Sequence, residues 1–162
     1  MTDLYTNLNK LTKNRGILLL DKFPNTQISL FNFNIPGITL PAATQHSPFF
    51  TKPVYGDKLE FNNLFLNIVV SENLENWLEI FEWMYQLANP SEKNDIDLTY
   101  VNGTIIIANS NHKPIYKVNF IDIVPVSLGD LYFSESENGS EDITASIVFE
   151  YEQYNIQKII EE

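Results

Sequence analysis

Apolar and polar residues alternate with a period of two along several segments of the chain, which is the pattern of β-strands that bury one face. The pattern is clearest in the closing segment ITASIVFEYEQYNI at 143–156, whose polar face carries Glu150 and Glu152. Its apolar face is predicted to consist of Ile143, Ala145, Ile147, Phe149 and Tyr151. Further strands are predicted at residues 16–23, 27–33, 58–70, 104–110, 115–126 and 127–136.

One segment, SENLENWLEIFEWMYQLANP at 71–90, instead repeats its apolar residues every three or four positions, as an amphipathic helix does. Ser71 is the predicted N-cap, and Pro90 is expected to end the helix. Trp83 lies off the apolar stripe, either as a contact residue or partly buried at the sheet edge. The predicted helix core consists of Leu74, Trp77, Leu78 and Phe81, with Tyr85 and Ala88 continuing the stripe.

Six or seven strands and a single helix predict a mainly β fold with one α-helix, an antiparallel two-sheet sandwich or barrel flanked by the helix. The length of 162 residues fits one domain, and apolar residues, which make up 44% of the chain, are numerous enough to form a buried core. We expect an N-terminal arm at residues 1–15, a domain at 16–156 and an acidic C-terminal end at 157–162.

The segment NIPGITLPAATQHSPFFTKPVYGD at 34–57 contains four prolines spaced five to seven residues apart. Proline fixes φ and lacks a backbone donor, so the segment is predicted to be a loop rather than a long helix or a central strand. Loops are usually solvated, yet this segment is rich in apolar side chains, so it needs a burial partner. The candidate contact residues are Ile38, Leu40, Phe49, Phe50 and Tyr55.

Charge and composition exclude several classes of function. The net charge is −11 and Arg15 is the only arginine, a balance that argues against tight nucleic-acid binding. The absence of cysteine excludes disulfides, thiolate metal sites and a cysteine nucleophile. No apolar run is long enough to span a membrane and no signal peptide is visible, so we expect an intracellular chain at the place where it is made.

The sequence shows no convincing catalytic or cofactor site. His46 and His112 lie in predicted loops without a partner at ligand spacing, so no metal site is expected. The helix glutamates, Glu79 among them, have the spacing of a solvated face rather than of an acid–base pair. There is no glycine-rich phosphate loop and no nucleophile motif, so no cofactor is expected. A folded, aromatic-rich domain of this kind is more typical of binding or assembly than of an enzyme.

Several motifs in order resemble the tail-tube family of contractile-tailed, T4-like bacteriophages, which includes tube subunits and tail-completion proteins and is related in fold to Hcp. The resemblance covers residues 16–156. Its motifs are NIPGITLP at 34–41, YGDKLEF at 55–61, SENLENWLEIFEWM at 71–84, YKVNFIDIVPVSLGDLYF at 116–133 and ITASIVFEYEQYNI at 143–156.

The resemblance implies a virion structural protein of the phage tail, assembled in the host cytoplasm. Six copies would form a ring, rings would stack into a tube, and phage DNA would pass through without specific binding. Other tail proteins, such as sheath, baseplate or neck proteins, would be partners. The proline-rich loop would then be buried against a neighbouring subunit, with Phe49 and Phe50 as anchors, unless it folds back over its own sandwich. Glu150 and Glu152 are candidates for an acidic lumen wall, unless they only face outer solvent.

Two other functions remain open from the sequence. A monomeric ligand- or carbohydrate-binding β-domain would use an exposed Trp83 together with exposed tyrosines. An enzyme would use the helix carboxylates. Self-association distinguishes the ring subunit from both, since a ring must assemble from many copies.

Overall fold

The computed structural model of the chain describes residues 16–23, 27–90, 99–109, 111–133 and 142–159. The predicted N-terminal arm, most of the polar connector at 91–103, the Asn-Gly turn near 138 and the last three residues lie outside these ranges. The strands are β1 Gly16–Leu20, β2 Gln27–Phe33, β3 Ile38–Thr39, β4 Ala42–His46, β5 Thr51–Tyr55, β6 Glu60–Phe61, β7 Leu64–Val69, β8 Val101–Ala108, β9 Pro114–Leu128, β10 Thr144–Glu150 and β11 Gln153–Lys158. The helix α1 is Glu75–Ala88.

Six of the strands form a closed antiparallel barrel. They pair in the order β10-β7-β2-β1-β8-β9, and a second pairing between β10 and β9 closes the cylinder. β11 pairs with the first half of β9, along the same edge as β10. This architecture, with α1 against it, confirms the predicted fold class. Among the described residues, no helix is both long and apolar enough to cross a membrane.

Alternation of apolar and polar residues places one face of each barrel strand in a common core. In β1 and β7 every second side chain is buried, as the period of two requires. The fully buried residues of the barrel strands include Leu18, Ile28, Leu30, Leu64, Leu66, Ile68, Ile105, Phe120, Ile123 and Phe149.

The long strand β9 holds the barrel and β11 together. Its first half pairs with β11 and its second half with β10, while β8 pairs along its other edge. Between the two halves, Asp122 has a left-handed backbone with φ of 50°. Pro125, expected as a possible break, is accommodated opposite Phe149 beside a register shift, so the strand continues. Bulges are the usual place for proline inside a sheet, because there its missing donor breaks no ladder hydrogen bond.

Three predicted strands differ from those in the structure. The predicted strand at 58–70 is two strands, β6 and β7, separated at 62–63. The closing strand at 143–156 is interrupted at 151–152 into β10 and β11, although residues 149–158 keep one register against β9 across the interruption. The predicted strand at 127–136 does not form where it is described, because β9 ends at Leu128 and residues 129–133 have no strand pairing.

The helix packs on the barrel with a different face from the predicted one. Its buried residues are Asn76, Ile80 and Trp83. Trp83 is fully buried, with its ring centroid 5.6 Å from that of Phe23 and 6.1 Å from that of Phe149. The expectation that Trp83 is a surface or edge residue is therefore wrong.

Two of the four predicted core residues of the helix are exposed. Leu78 is 42% and Phe81 47% exposed, so placing them in the core was wrong for the single chain. Trp77 packs against the core cluster but stays partly exposed, and Leu74 lies before the helix. The helix carries large apolar residues on two adjacent faces, and a period of 3.6 alone does not say which face meets the sheet.

The helix begins at Glu75 without a side-chain cap, so Ser71 is not the N-cap. Leu74 precedes it with φ of 60°, a conformation that costs an L-residue roughly 1–2 kcal/mol. The buried side chain of Asn76 stabilises this junction. Its Oδ1 accepts hydrogen bonds from the backbone N and the Oγ of Ser71, each at 3.1 Å, and its Nδ2 donates to the carbonyl oxygen of Val69 at 2.8 Å. A polar residue thus occupies a buried helix position, which a search for apolar residues at helical spacing does not identify.

Candidate functional site

The predicted proline-rich loop forms a projecting β-hairpin, residues 42–55. β4 and β5 pair from Ala42–Tyr55 at the base to His46–Thr51 at the far end, and they form a sheet separate from the barrel. At the tip, residues 47–50, the N–H of Ser47 donates to the carbonyl oxygen of Phe50 at 2.9 Å. Every residue of both strands is exposed, so the hairpin does not fold back over its own barrel.

The prediction of an irregular loop is wrong for this segment, since the prolines lie where a hairpin tolerates them. Pro53 lies opposite Thr44 in a two-stranded sheet, where each strand is an edge strand. Pro41 ends the hairpin at its base, where its carbonyl oxygen accepts from the N–H of Gly56 at 2.6 Å. A Cβ on Gly56 would lie 2.7 Å from that oxygen, so this close approach requires glycine.

All five predicted contact residues are exposed on or beside the hairpin. Phe49 is 93% and Phe50 67% exposed, at the tip. Tyr55 ends β5, whereas Ile38 and Leu40 lie before β4, Ile38 paired with Phe61 in the small β3–β6 sheet. The structure therefore places Phe49, Phe50 and Tyr55 on the projecting hairpin, and Ile38 and Leu40 on the chain that leads into it. Their burial by a neighbouring subunit stays a prediction.

An aromatic cluster anchors both ends of the segment that carries the hairpin. Tyr154 donates its hydroxyl hydrogen to the carbonyl oxygen of Pro36 at 2.7 Å, and Tyr151 donates to that of Asn62 at 2.7 Å. The ring of Phe61 makes edge-to-face contacts with both, with centroid distances of 6.0 Å to Tyr151 and 5.7 Å to Tyr154. These contacts fix the segment on β11 and on the β10–β11 junction, so the hairpin leaves the barrel from a defined base.

Tyr151 makes this anchor sensitive to high pH. Partial burial, with a smaller contribution from Tyr154, raises the pKa of the Tyr151 hydroxyl from 10.0 to about 12. A group whose pKa is raised by folding stabilises the fold below its unfolded pKa, and this stability is lost as the pH rises from about 10 through about 12. Tyr151→Phe is expected to show a shallower loss of stability in that window, measured by urea unfolding at a series of pH values. Parallel curves for the two proteins would contradict this role.

A second apolar surface lies on the exposed side of α1. The rings of Trp77, Phe81 and Tyr85 stack along the helix, with successive centroids 5.6 Å and 6.4 Å apart. The chain leaving β9, residues 128–131, runs beside them, and Trp77 Nε1 donates to the carbonyl oxygen of Gly129 at 3.4 Å. Together they line an open groove of about 730 Å³, called the aromatic groove below.

Sequence reasoning missed this groove because it assigned Phe81 and Tyr85 to the core stripe. Tyr132 and Phe133, which follow the groove-lining segment, were also missed and are highly exposed. The available signal was a helix with more large apolar residues than one buried face can hold.

The remaining candidate residues are far less distinctive. Glu150 ends β10 and Glu152 lies at the bend before β11, both exposed to solvent. His46 is on the hairpin, with Nδ1 3.4 Å from Thr51 Oγ1, and His112 is in the turn between β8 and β9. Within the ranges that the structure describes, no three His, Asp or Glu side chains are grouped to hold a metal ion.

Comparison with known proteins gives a consistent result. No family model matches the chain. The tail tube terminator protein of Enterobacteria phage T4 is 26% identical over 133 residues, covering 76% of this chain and 74% of that protein. A chain in the cryo-EM structure of the PVC sheath/tube terminator, from an extracellular contractile injection system, matches with a TM-score of 0.67 at 14% identity, over 92% of this chain and 97% of that one. Hcp1 from Flavobacterium johnsoniae matches with a TM-score of 0.57 at 11% identity, over 90% and 98%.

The solved structures share the barrel and its helix, and the phage protein adds similarity in sequence over three quarters of the chain. The predicted resemblance to the tail-tube family of contractile-tailed systems, which is related in fold to Hcp, is therefore confirmed in sequence by the phage protein and in fold by the solved structures.

Proposed function

We propose that this structural protein of the tail tube forms a hexameric ring that terminates the tube, and that phage DNA passes through the ring. Its place is the virion tail, its partners are other tail proteins, and it assembles in the host cytoplasm. Similarity to the T4 tail tube terminator favours the tube end over the body of the tube.

The main support for the ring proposal is the projecting hairpin. Phe49 and Phe50 expose most of their side chains at its tip, and the hydroxyls of Tyr151 and Tyr154 anchor the chain on both sides of the hairpin, at Asn62 and Pro36. Apolar side chains displayed on an anchored element are typical of a protein interface rather than of a solvated loop. A projecting element that meets a different surface on the next copy gives a head-to-tail contact, which closes into a ring when the rotation fits.

The rival functions have less support. A carbohydrate-binding domain was expected to use Trp83, but Trp83 is fully buried and presents no face to a ligand. The related T4 protein is a structural tail component, which agrees with a role without catalysis.

Size-exclusion chromatography with light scattering, followed by negative-stain electron microscopy, tests the ring. We expect a species of six times the 18.7 kDa chain mass and particles with a central hole. Because terminator subunits meet an existing tube, the same measurement should be repeated with purified tube protein. A chain that stays monomeric in both conditions would contradict the proposal.

The acidic balance of the chain suits a conduit that confines DNA without holding it. Each lysine or arginine at a phosphate adds affinity through counterion release, whereas acidic walls repel DNA. With a net charge of −11, we expect no measurable binding of double-stranded DNA even at low salt. Glu150→Lys with Glu152→Lys is expected to assemble normally and to slow DNA ejection from particles. Salt-sensitive, micromolar DNA binding by the unmodified protein would overturn the repulsive conduit.

A further inference from the structure

The hairpin tip and the aromatic groove are two exposed apolar surfaces with complementary shapes. The hairpin tip is convex and narrow, and it carries Phe49 and Phe50. The aromatic groove is concave, and its floor is the stacked rings of Trp77, Phe81 and Tyr85. In the described part of the chain, the hairpin strands lie in a sheet of their own and the groove is open.

We propose that the aromatic groove of one copy receives the hairpin tip, with Phe49 and Phe50, of a second copy. The inference rests on the proposed ring function and names the two surfaces that form its subunit contact. Aromatic side chains bury roughly 150–250 Å² each and prefer offset or edge-on packing against other rings, so two phenylalanines suit a floor of three aromatic rings.

Size and reach agree with this contact. The five-residue strands of the hairpin extend about 17 Å at 3.3 Å per residue, enough to carry the tip well beyond the barrel wall. The groove offers about 730 Å³ and is widely open to solvent, so a pair of side chains can enter it from outside. The anchored base of the hairpin limits the entropy lost on docking.

The charges of the two surfaces are complementary. Between residues 42 and 55 the only formally charged side chain is Lys52, two residues from Phe50 and exposed. The helix has three glutamates and no basic residue, and the groove lining includes Asp130. Glu82 follows Phe81 directly and is exposed beside the floor. In a chain of net charge −11, the hairpin is thus a locally positive element that meets an acidic rim.

The contact is heterologous, because donor and acceptor surfaces are different parts of the chain. Each copy therefore offers one tip and one groove, and the contact propagates from copy to copy until a ring closes. Residues 1–15 contain three basic residues and one acidic residue and are a competing occupant of the groove, which the test includes.

Disulfide cross-linking between two singly substituted proteins tests the contact, because the chain has no cysteine of its own. Tagged Phe50→Cys protein is mixed with untagged Tyr85→Cys protein and mildly oxidised, and heterodimers are counted on a non-reducing gel. The matched control replaces Tyr85→Cys by Ser29→Cys, which is exposed on the barrel strand β2. We expect the Tyr85 pair to cross-link at least several-fold more than the Ser29 pair.

Charge reversal gives a second readout. Lys52→Glu is expected to weaken self-association roughly two- to five-fold, the effect of one exposed ion pair, and Glu82→Lys in the same chain is expected to restore it. Raising the salt concentration should reduce both effects.

The outcomes separate the two proposals. Rings that form while the Tyr85 and Ser29 pairs cross-link equally would overturn the groove contact and leave the ring proposal intact. Self-association that is lost on deletion of residues 1–15 but unaffected by Phe50→Ser would assign the groove to the arm and likewise overturn the contact. A protein that never self-associates would overturn both.

Discussion

Trp83→Ala is expected to lower the free energy of unfolding by roughly 3–5 kcal/mol, the usual cost of emptying a large buried aromatic site. The indole is fully buried between the helix and the barrel, with the rings of Phe23 and Phe149 on either side. Its removal opens a cavity that the closed barrel cannot collapse to fill, because the surrounding strands are hydrogen-bonded on both edges. Urea unfolding followed by far-ultraviolet circular dichroism measures the change.

Phe81→Ala on the same helix is the matched control. Phe81 is half exposed and stacks only on Trp77 and Tyr85, so we expect a loss of about 1 kcal/mol. A larger loss for Phe81→Ala than for Trp83→Ala would mean that the helix packs with the face predicted from periodicity instead of the face that carries Trp83.

Phe49→Ser with Phe50→Ser is expected to abolish self-association while changing the stability of the single chain by less than about 0.5 kcal/mol. Both side chains are exposed at the hairpin tip, so their removal takes nothing from the core of the same chain. In a neighbouring copy they would be anchors, and a few central aromatic residues carry most of the affinity of an interface. Light scattering reports the association, and thermal unfolding at low protein concentration reports the stability.

Phe31→Ser serves as the control for general loss of surface apolarity. Phe31 is 71% exposed on the barrel strand β2, close to the 67% of Phe50 at the tip. We expect this variant to associate normally. If it dissociates to the same extent as the hairpin variant, the tip has no special part in assembly. If the hairpin variant unfolds or aggregates as a monomer, the hairpin contributes to its own fold after all.

Local sequence pattern determined most of the barrel. Alternation identified β2, β7 and β10, since a strand with one buried face must repeat every two residues, and apolar runs between turn signals identified β1, β8 and β9. It also placed Ile147 and Phe149 in the core correctly. The motif order added the resemblance to the tail-tube family, and the net charge argued against nucleic-acid binding. Strand alternation, motif order and net charge all follow from the sequence alone and do not depend on contacts between distant residues.

The site was only partly predictable. The predicted contact residues are exposed, as an apolar set without a local partner should be, and three of them lie on the hairpin while Ile38 and Leu40 lie just before it. Their role as contacts stays a prediction. That this element is a hairpin was missed, because the prolines, which exclude a long helix or a central strand, were taken to indicate a loop. Pro53 is tolerated here because its strand has a free edge, which is a fact about pairing partners and not about the segment itself.

The sequence by itself determined that this chain has a β core, one helix and an apolar proline-rich segment in need of a partner. Only the tertiary structure decided which helix face meets the barrel. Apolar residues cover two adjacent faces of α1, and the choice falls on the face where Trp83 fills the space between Phe23 and Phe149 and where Asn76 satisfies the backbone at the end of β7. That choice leaves Phe81 and Tyr85 exposed, and the aromatic groove exists because a helix packed on a barrel buries one face and not the adjacent one.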